Sequence, residues 1–271
     1  MHSEISAILA ALRQQKPVVH NITNLVVTNT TANALLAIGA SPVMAHAPEE
    51  MADMVSIASA LVINTGTPSE PQRTAIRKAI QAAREQGKPW ILDPAGAGAT
   101  PYRLQLNTEL LELKPAAIRG NASEILTLLT GKPTGRGVDT DSSSDDALNE
   151  TLSYLQRRAA QLNTVLAVTG ATDYIIDSQR IAKITNGHPM MAKVTGTGCT
   201  ATAMTGAFLA SSNDPWLAVT ASIACLGIAG EKAAFAAKGP GSLQMHLLDE
   251  LYLLDAETIQ ARLSLEVLIK Q

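Results

Sequence analysis

Aromatic residues are scarce: two Trp, four Tyr and two Phe in a chain of 271 residues. Binding of single-stranded nucleic acid by stacking needs a platform of exposed rings, and this composition does not supply one. The scarcity also leaves the core to Ala, Leu, Ile, Val and Met. Cysteine is scarcer still. Cys199 and Cys225 are the only two, too few for a disulfide framework or a zinc-ligand spacing, and they fit a reducing cytoplasm. Positive charge is not in excess: the formal net charge is −3, so there is no basic footprint for nucleic acid. Long apolar runs are missing too. Residues 1–16 have neither an apolar core nor a cleavage pattern, so no signal peptide is expected. The most apolar stretch, 216–229, is broken by Thr220, Ser222 and Gly227 and is short for a membrane span. It reads as a buried helix. What remains is 46% hydrophobic and 17% charged, which suits a globular protein with a large aliphatic core. A cytoplasmic protein is expected, with neither membrane nor nucleic acid among its partners.

Two periodicities alternate along the chain. Helical spacing is expected over 3–15, with Ser3 as a possible N-cap, and over 25–38 up to a C-capping Gly39. It recurs at 48–59, 69–86, 104–113, 123–130, 149–161, 216–237, 242–254 and 256–268. Short apolar runs lie between, at 17–19, 41–44, 60–64, 89–93, 116–118 and 164–168, with a hairpin pattern at 173–177 and 180–185. Strands this short, separated by helices, make a parallel sheet covered on both faces. One α/β domain over residues 1–271 is therefore expected. Residues 132–146, rich in Gly, Ser and Asp, read as a solvated loop within it.

Polar residues gather just after the strands: Asn21, Thr23 and Asn24; Asn64, Thr65 and Gly66; Asp93; Arg119, Gly120 and Asn121; Thr169 and Gly170. Ligands of open parallel sheets collect at that edge. Each cluster has a plainer explanation. Asp93 before Pro94 is a common turn opener, although Gly96-Ala-Gly98 permits close backbone approach to a ligand. Asn121 and Glu124 have the spacing of an N-cap and its N3 partner, which is compatible with metal binding through water. Arg119 suits a surface salt bridge or a phosphate clamp. Met44 suits core as well as a ligand wall, His20 reads as a hydrogen-bonded structural histidine, and Cys225 as core.

The stretch Val194-Thr-Gly-Thr-Gly-Cys199 opens onto a run of small residues reaching Ala210. A Gly-rich turn leading into a helix presents backbone N–H groups without intrahelical partners, and these suit an anion. Cys199 then falls in the first helical turn, where the dipole favours its thiolate. It is the one candidate base in this loop. An ordinary glycine loop with a buried cysteine has the same spacing.

His20-Asn-Ile-Thr-Asn24, Asn29, Ala32-Asn33 and Gly39-Ala-Ser-Pro-Val-Met44 resemble the N-terminal signature of the hydroxyethylthiazole kinases. Asp93-Pro-Ala-Gly-Ala-Gly98, Arg119-Gly-Asn-Ala-Ser-Glu124, Gly137-Val-Asp139, Val168-Thr-Gly170, Asn186-Gly-His188 and Val194-Thr-Gly-Thr-Gly-Cys199 continue it in order. The resemblance covers nearly the whole chain. It implies a ribokinase-like fold, with a mostly parallel central sheet and helices on both faces. It also implies a homotrimer with sites at subunit interfaces. The implied reaction is ATP- and Mg2+-dependent phosphorylation of 4-methyl-5-(2-hydroxyethyl)thiazole in thiamine salvage. By the same resemblance Asn24, Met44 and Gly196 bind the thiazole, and Arg119, Thr169, Thr195 and Gly198 bind the nucleotide. Asp93 and Glu124 bind the metal, and the segment from Thr195 to Cys199 forms the anion hole. Many ribokinase-like relatives carry Asp where this chain has Cys199. That departure, also seen within the thiazole kinases, bears on how the proton leaves the alcohol. Two other functions share parts of the pattern. A ribokinase-like ATP-dependent dehydratase of hydrated nicotinamide cofactors shares the anion hole but not the signatures at 20–24 and 42–44. A non-catalytic sensor of a vitamin precursor has no need of intact Asp93, Glu124 and Gly196-Thr-Gly198.

Overall fold

The alternating runs form a nine-stranded sheet in the computed structural model, which describes residues 1–132 and 145–268. The strands are β1 (Val18–Ile22), β2 (Ser41–Val43), β3 (Ala60–Asn64), β4 (Trp90–Asp93), β5 (Ala117–Asn121), β6 (Val165–Thr169), β7 (Asp173–Ile176), β8 (Ile181–Ile184) and β9 (Leu265–Leu268). Their order is β2-β1-β3-β4-β5-β6-β7-β8-β9. Every pairing from β2 to β6 is parallel, and those from β6 to β9 are antiparallel.

Alternation along each central strand feeds two cores, because successive side chains point to opposite faces. Val62, Ile91, Val165 and Ala167 pack on one face, under α1 (His2–Gln15), α2 (Thr28–Ile38), α8 (Thr197–Leu209), α9 (Pro215–Ala236), α10 (Pro240–Leu253) and α11 (Ala256–Arg262). Leu61, Ile63, Trp90, Leu92, Leu166 and Val168 pack on the other, under α3 (Met51–Ile57), α4 (Glu70–Glu85), α5 (Pro101–Leu111), α6 (Ala122–Thr130) and α7 (Asp145–Leu162). The result is a three-layer α/β/α domain. Helix α8 lies directly on the sheet: a Cβ at Gly206 would come within 2.5 Å of Val62 Cγ2. That close contact carries the N-terminus of α8 to the carboxyl ends of the central strands.

Several boundaries differ from expectation. Strand β1 runs on through His20, Asn21 and Ile22, because β2 and β3 flank it and supply ladder partners as far as Ile22. Helix α2 begins at Thr28, which leaves Leu25 and Val26 in an exposed turn. Helix α1 starts at His2, with Met1 rather than Ser3 at its N-cap. The last helical pattern stops at Arg262, and Leu265–Leu268 becomes β9, covering the open edge of β8 that would otherwise leave its backbone groups unpaired. Gly39 ends α2 at φ 107, as its position in the pattern implies. Helix α9 is long and apolar enough to cross a membrane by composition, and 78% of its apolar window is buried inside the fold. It is a core helix. The Gly137-Val-Asp139 segment and most of the 132–146 stretch lie outside the described residues.

Candidate active site

Asn64 and Asp93 end neighbouring strands and are aligned in register. The first turn of α8 descends on them, and Cys199 is its third residue. The Asn24 and Asn64 side-chain amides each donate to Cys199 Sγ at 3.3 Å. Asn24 Nδ2 also donates to Asn64 Oδ1 at 2.9 Å, and the same oxygen accepts from Gly66 N at 2.9 Å. Glycine is required at 66, since a Cβ there would sit 2.8 Å from Asn24 Cβ and 2.9 Å from Asn64 Oδ1. The thiol is not activated as a helix N-terminus alone would suggest. Burial pushes the Cys199 pKa up, and the Asp93 charge adds to this. The Asn24, Arg119 and Asn64 contacts pull the other way and lose. Desolvation of the thiolate is the largest influence on the group.

Asp93 is buried, and its Oδ2 accepts from Thr202 Oγ1 at 2.8 Å. Thr202 lies three residues beyond Cys199 on α8, so one helix face touches both groups. Burial raises the Asp93 pKa; Arg119 opposes the shift, and the Glu124 charge reinforces it. Glu124 Oε2 accepts from Asn121 N at 2.9 Å, while Asn121 Oδ1 accepts from Glu124 N at 2.8 Å. This is the capping box that their spacing suggested. Glu124 Oε1 reaches further and accepts from Gly96 N at 2.9 Å, tying down the loop after β4. Among the described residues no group of three His, Cys, Asp or Glu side chains forms a ready-made metal cage.

Arg119 extends from β5 and donates to Thr169 Oγ1 at 2.5 Å. Its guanidinium lies on the backbone of Gly198, where any Cβ would collide with it. Together they wall a cavity of about 510 Å³, whose other lining includes Thr197, Asp173 and the apolar Met191, Ile223 and Leu226. Thr195 lies elsewhere, in a separate 140 Å³ cavity with Asn29, Asn33 and Gln244. Gly196 is the N-cap of α8 at φ 87, packed so tightly that a Cβ would come 2.7 Å from Val27 Cγ1. Met44 follows the edge strand β2, in a loop held by His20 Nε2 at 2.9 Å from the Ala45 carbonyl oxygen. Four strand intervals separate β2 from β5, about 19 Å. The candidates thus form a row along one edge: Met44, Asn24, then Asn64 and Cys199, then Asp93, Arg119 and Thr169.

Sequence reasoning placed Asn64 at a strand end without giving it a task, and it overlooked Thr202 and Arg103. The i, i+3 spacing from Cys199 was a usable signal for Thr202. Arg103 gave none. From α5 it donates to the carbonyls of Thr65 at 2.8 Å, Ala95 at 3.0 Å and Gly66 at 2.6 Å, locking together the loops after β3 and β4.

The family model described as the hydroxyethylthiazole kinase family matches residues 9–257. A hydroxyethylthiazole kinase from Granulibacter bethesdensis is 54% identical over 253 residues, which is 93% of this chain and 91% of that relative. The solved structure of the hydroxyethylthiazole kinase protein from Pyrococcus horikoshii OT3 aligns with a TM-score of 0.89 at 42% identity, covering 97% of this chain and 98% of its own. A ribokinase-like superfamily protein from Enterococcus faecalis V583, 14% identical, covers 94% of this chain and 95% of its own with a TM-score of 0.64, and shares the fold alone.

Proposed function

This chain belongs to the hydroxyethylthiazole kinase family, and we propose that its strand-end site transfers the terminal phosphoryl group of ATP to the hydroxyl of 4-methyl-5-(2-hydroxyethyl)thiazole, a step of thiamine salvage. The observation that carries this reading is the seating of Arg119 on Gly198, at the wall of a 510 Å³ cavity. Phosphates drawn to Arg119 arrive at the first turn of α8. Cys199, one residue on, faces Asn24 and Asn64. The nucleotide enters from the β5 and β6 side and the alcohol from the β1 and β3 side.

Phosphoryl transfer requires positioning and charge neutralisation more than covalent chemistry. The N–H groups of Thr197, Gly198 and Cys199 have no intrahelical acceptor, and they point where negative charge on the moving group develops. Thr197 Oγ1 holds this turn by donating to the carbonyls of Met191 at 3.1 Å and Val194 at 2.9 Å. Asn24 and Asn64 fix the sulfur of Cys199 beside the alcohol path. The raised pKa keeps the thiol protonated at rest, so proton acceptance by sulfur draws on the thiolate fraction and strengthens with pH.

The carboxylates fit magnesium bound through water. Glu124 raises the Asp93 pKa by repulsion, which a cation would relieve, and both Glu124 oxygens already hold backbone N–H groups. Magnesium prefers one or two carboxylates with waters and phosphates. Asp93 and Glu124 would hold it, and it would neutralise phosphate charge. A homotrimer in the cytoplasm, with sites between subunits, completes the reading. Leu25 and Val26, 73% and 65% exposed and next to Asn24 in the chain, support it as apolar surface needing cover.

A coupled ADP-release assay with the thiazole alcohol, with the product identified by mass, tests the activity. Turnover of hydrated NADH instead of the alcohol would refute it. Light scattering tests the assembly: about three times 28.4 kDa is expected, and a fully active monomer at assay concentration would rule it out.

A further inference from the structure

The nucleotide cavity contains one carboxylate that the chemistry above does not use. Asp173 opens β7 and lines the cavity with Arg119, Thr169 and Gly170; no other Asp or Glu among the described residues does so. Its Oδ1 accepts from Gly170 N at 2.9 Å, which orients the carboxyl group. Its Oδ2 has no hydrogen-bond partner among the described residues. Phosphates cannot use that oxygen, because acceptor would face acceptor and anion would face anion. Arg119 marks the phosphate end, and its charge acts on Asp173. The portion of a nucleotide next to its phosphates that offers hydrogen-bond donors is the ribose.

We infer that Asp173 accepts a hydrogen bond from a ribose hydroxyl and so selects ribonucleotides over deoxyribonucleotides. The inference rests on reading the cavity as the ATP site. Closing the turn between β6 and β7 does not account for the residue. An Asn would accept from Gly170 equally well, whereas burial pushes the Asp173 carboxyl up to about 6, so its charge is held at neutral pH against desolvation. Such poised groups cluster at functional sites. The other titratable groups lining the cavity are Arg119 and His188.

The test compares ATP, 2′-deoxyATP, 3′-deoxyATP and ITP in turnover and in calorimetric binding. The proteins are wild type, Asp173→Ala, Asp173→Asn and Ala192→Trp. Asp173→Asn keeps the Gly170 acceptor if the alanine variant fails to fold. Ala192→Trp narrows the cavity at its exposed rim. Wild type should prefer ATP over one deoxy analogue by about tenfold or more in kcat/KM, the scale of one hydrogen bond to a charged group. Asp173→Ala should bring that ratio near one and leave the ATP to ITP ratio unchanged. In wild type the discrimination should weaken below about pH 6 as Asp173 takes up a proton, and in Asp173→Asn it should be weak and independent of pH there. Equal losses for ATP and both deoxy analogues would reduce Asp173 to a turn closer. A change confined to ITP would move the contact to the base. Either result overturns the ribose assignment while Ala192→Trp still blocks ATP. Undiminished ATP binding by Ala192→Trp would instead overturn the cavity reading, and the inference with it.

Discussion

The side-chain amide nitrogen of Asn64 lies 3.3 Å from the sulfur of Cys199, 135 residues further along the chain. The contact joins the end of β3 to the first turn of α8. Replacing Asn64 by Ala leaves the Gly66 N–H without this acceptor and removes one of two donors to the sulfur. A buried polar group left unsatisfied costs about 1–3 kcal/mol, so the urea midpoint should fall without a change in slope. Turnover should fall more than ATP affinity does. An Asn64→Ala enzyme with wild-type turnover would remove the amide from the mechanism.

Cys199→Ser is nearly isosteric but holds its proton across the working pH range. It should bind the thiazole alcohol almost normally and turn it over more slowly, by about a hundredfold or more if sulfur is the base. In wild type, kcat should climb with pH above neutrality, because burial and Asp93 hold the thiol pKa above its usual value. That climb should vanish in the serine variant. Matching kcat profiles for the two proteins would leave catalysis to the α8 backbone and its counter-ions.

Gly198→Ala places a methyl group into the Arg119 guanidinium. The arginine must swing off Thr169, and the phosphate end of the cavity loses its shape. The expected outcome is a KM for ATP raised about tenfold or more, the scale of one charge-assisted contact, with little change in affinity for the alcohol. Thermal melting checks that the fold survives. An unchanged KM for ATP would separate Arg119 from nucleotide binding.

Stability should depend on pH through Asp173. Its pKa rises from 3.8 to about 6 on folding, so the folded protein binds more protons than the unfolded chain between those values. Stability contributed by this group is therefore present below about pH 4 and declines as pH rises to 6. Asp93, also raised by burial, adds a slope of the same sign. Asp173→Asn should gain stability relative to wild type on going from pH 4.5 to pH 7, a window about the one in which such a carboxylate titrates. Urea midpoints at both pH values measure this, and a constant difference between the two proteins would contradict it.

Local pattern was enough for the scaffold. Short apolar runs and helical spacing marked β3, β4 and β6 and the helices between them, because run length and helix period are properties of neighbours in the chain. The Asn121 and Glu124 capping box followed from a spacing of three, and the C-cap at Gly39 from its place at the end of a helical run. The gathering of Asn24, Asn64, Asp93, Arg119 and Thr169 on one edge was also legible, since a parallel sheet places every strand end on the same side.

Only the tertiary structure decided what those residues do to one another. The end of β1 and the existence of β9 depend on neighbouring strands that supply hydrogen-bond partners from distant sequence. Thr195 and Gly198, three residues apart, line different cavities, with Thr197 between them bordering both. The direction of the Cys199 shift was reversed relative to its helix position. Burial is the largest cause and the Asp93 charge, from a residue more than a hundred positions away, adds to it; both arise from packing that the local sequence of α8 does not show.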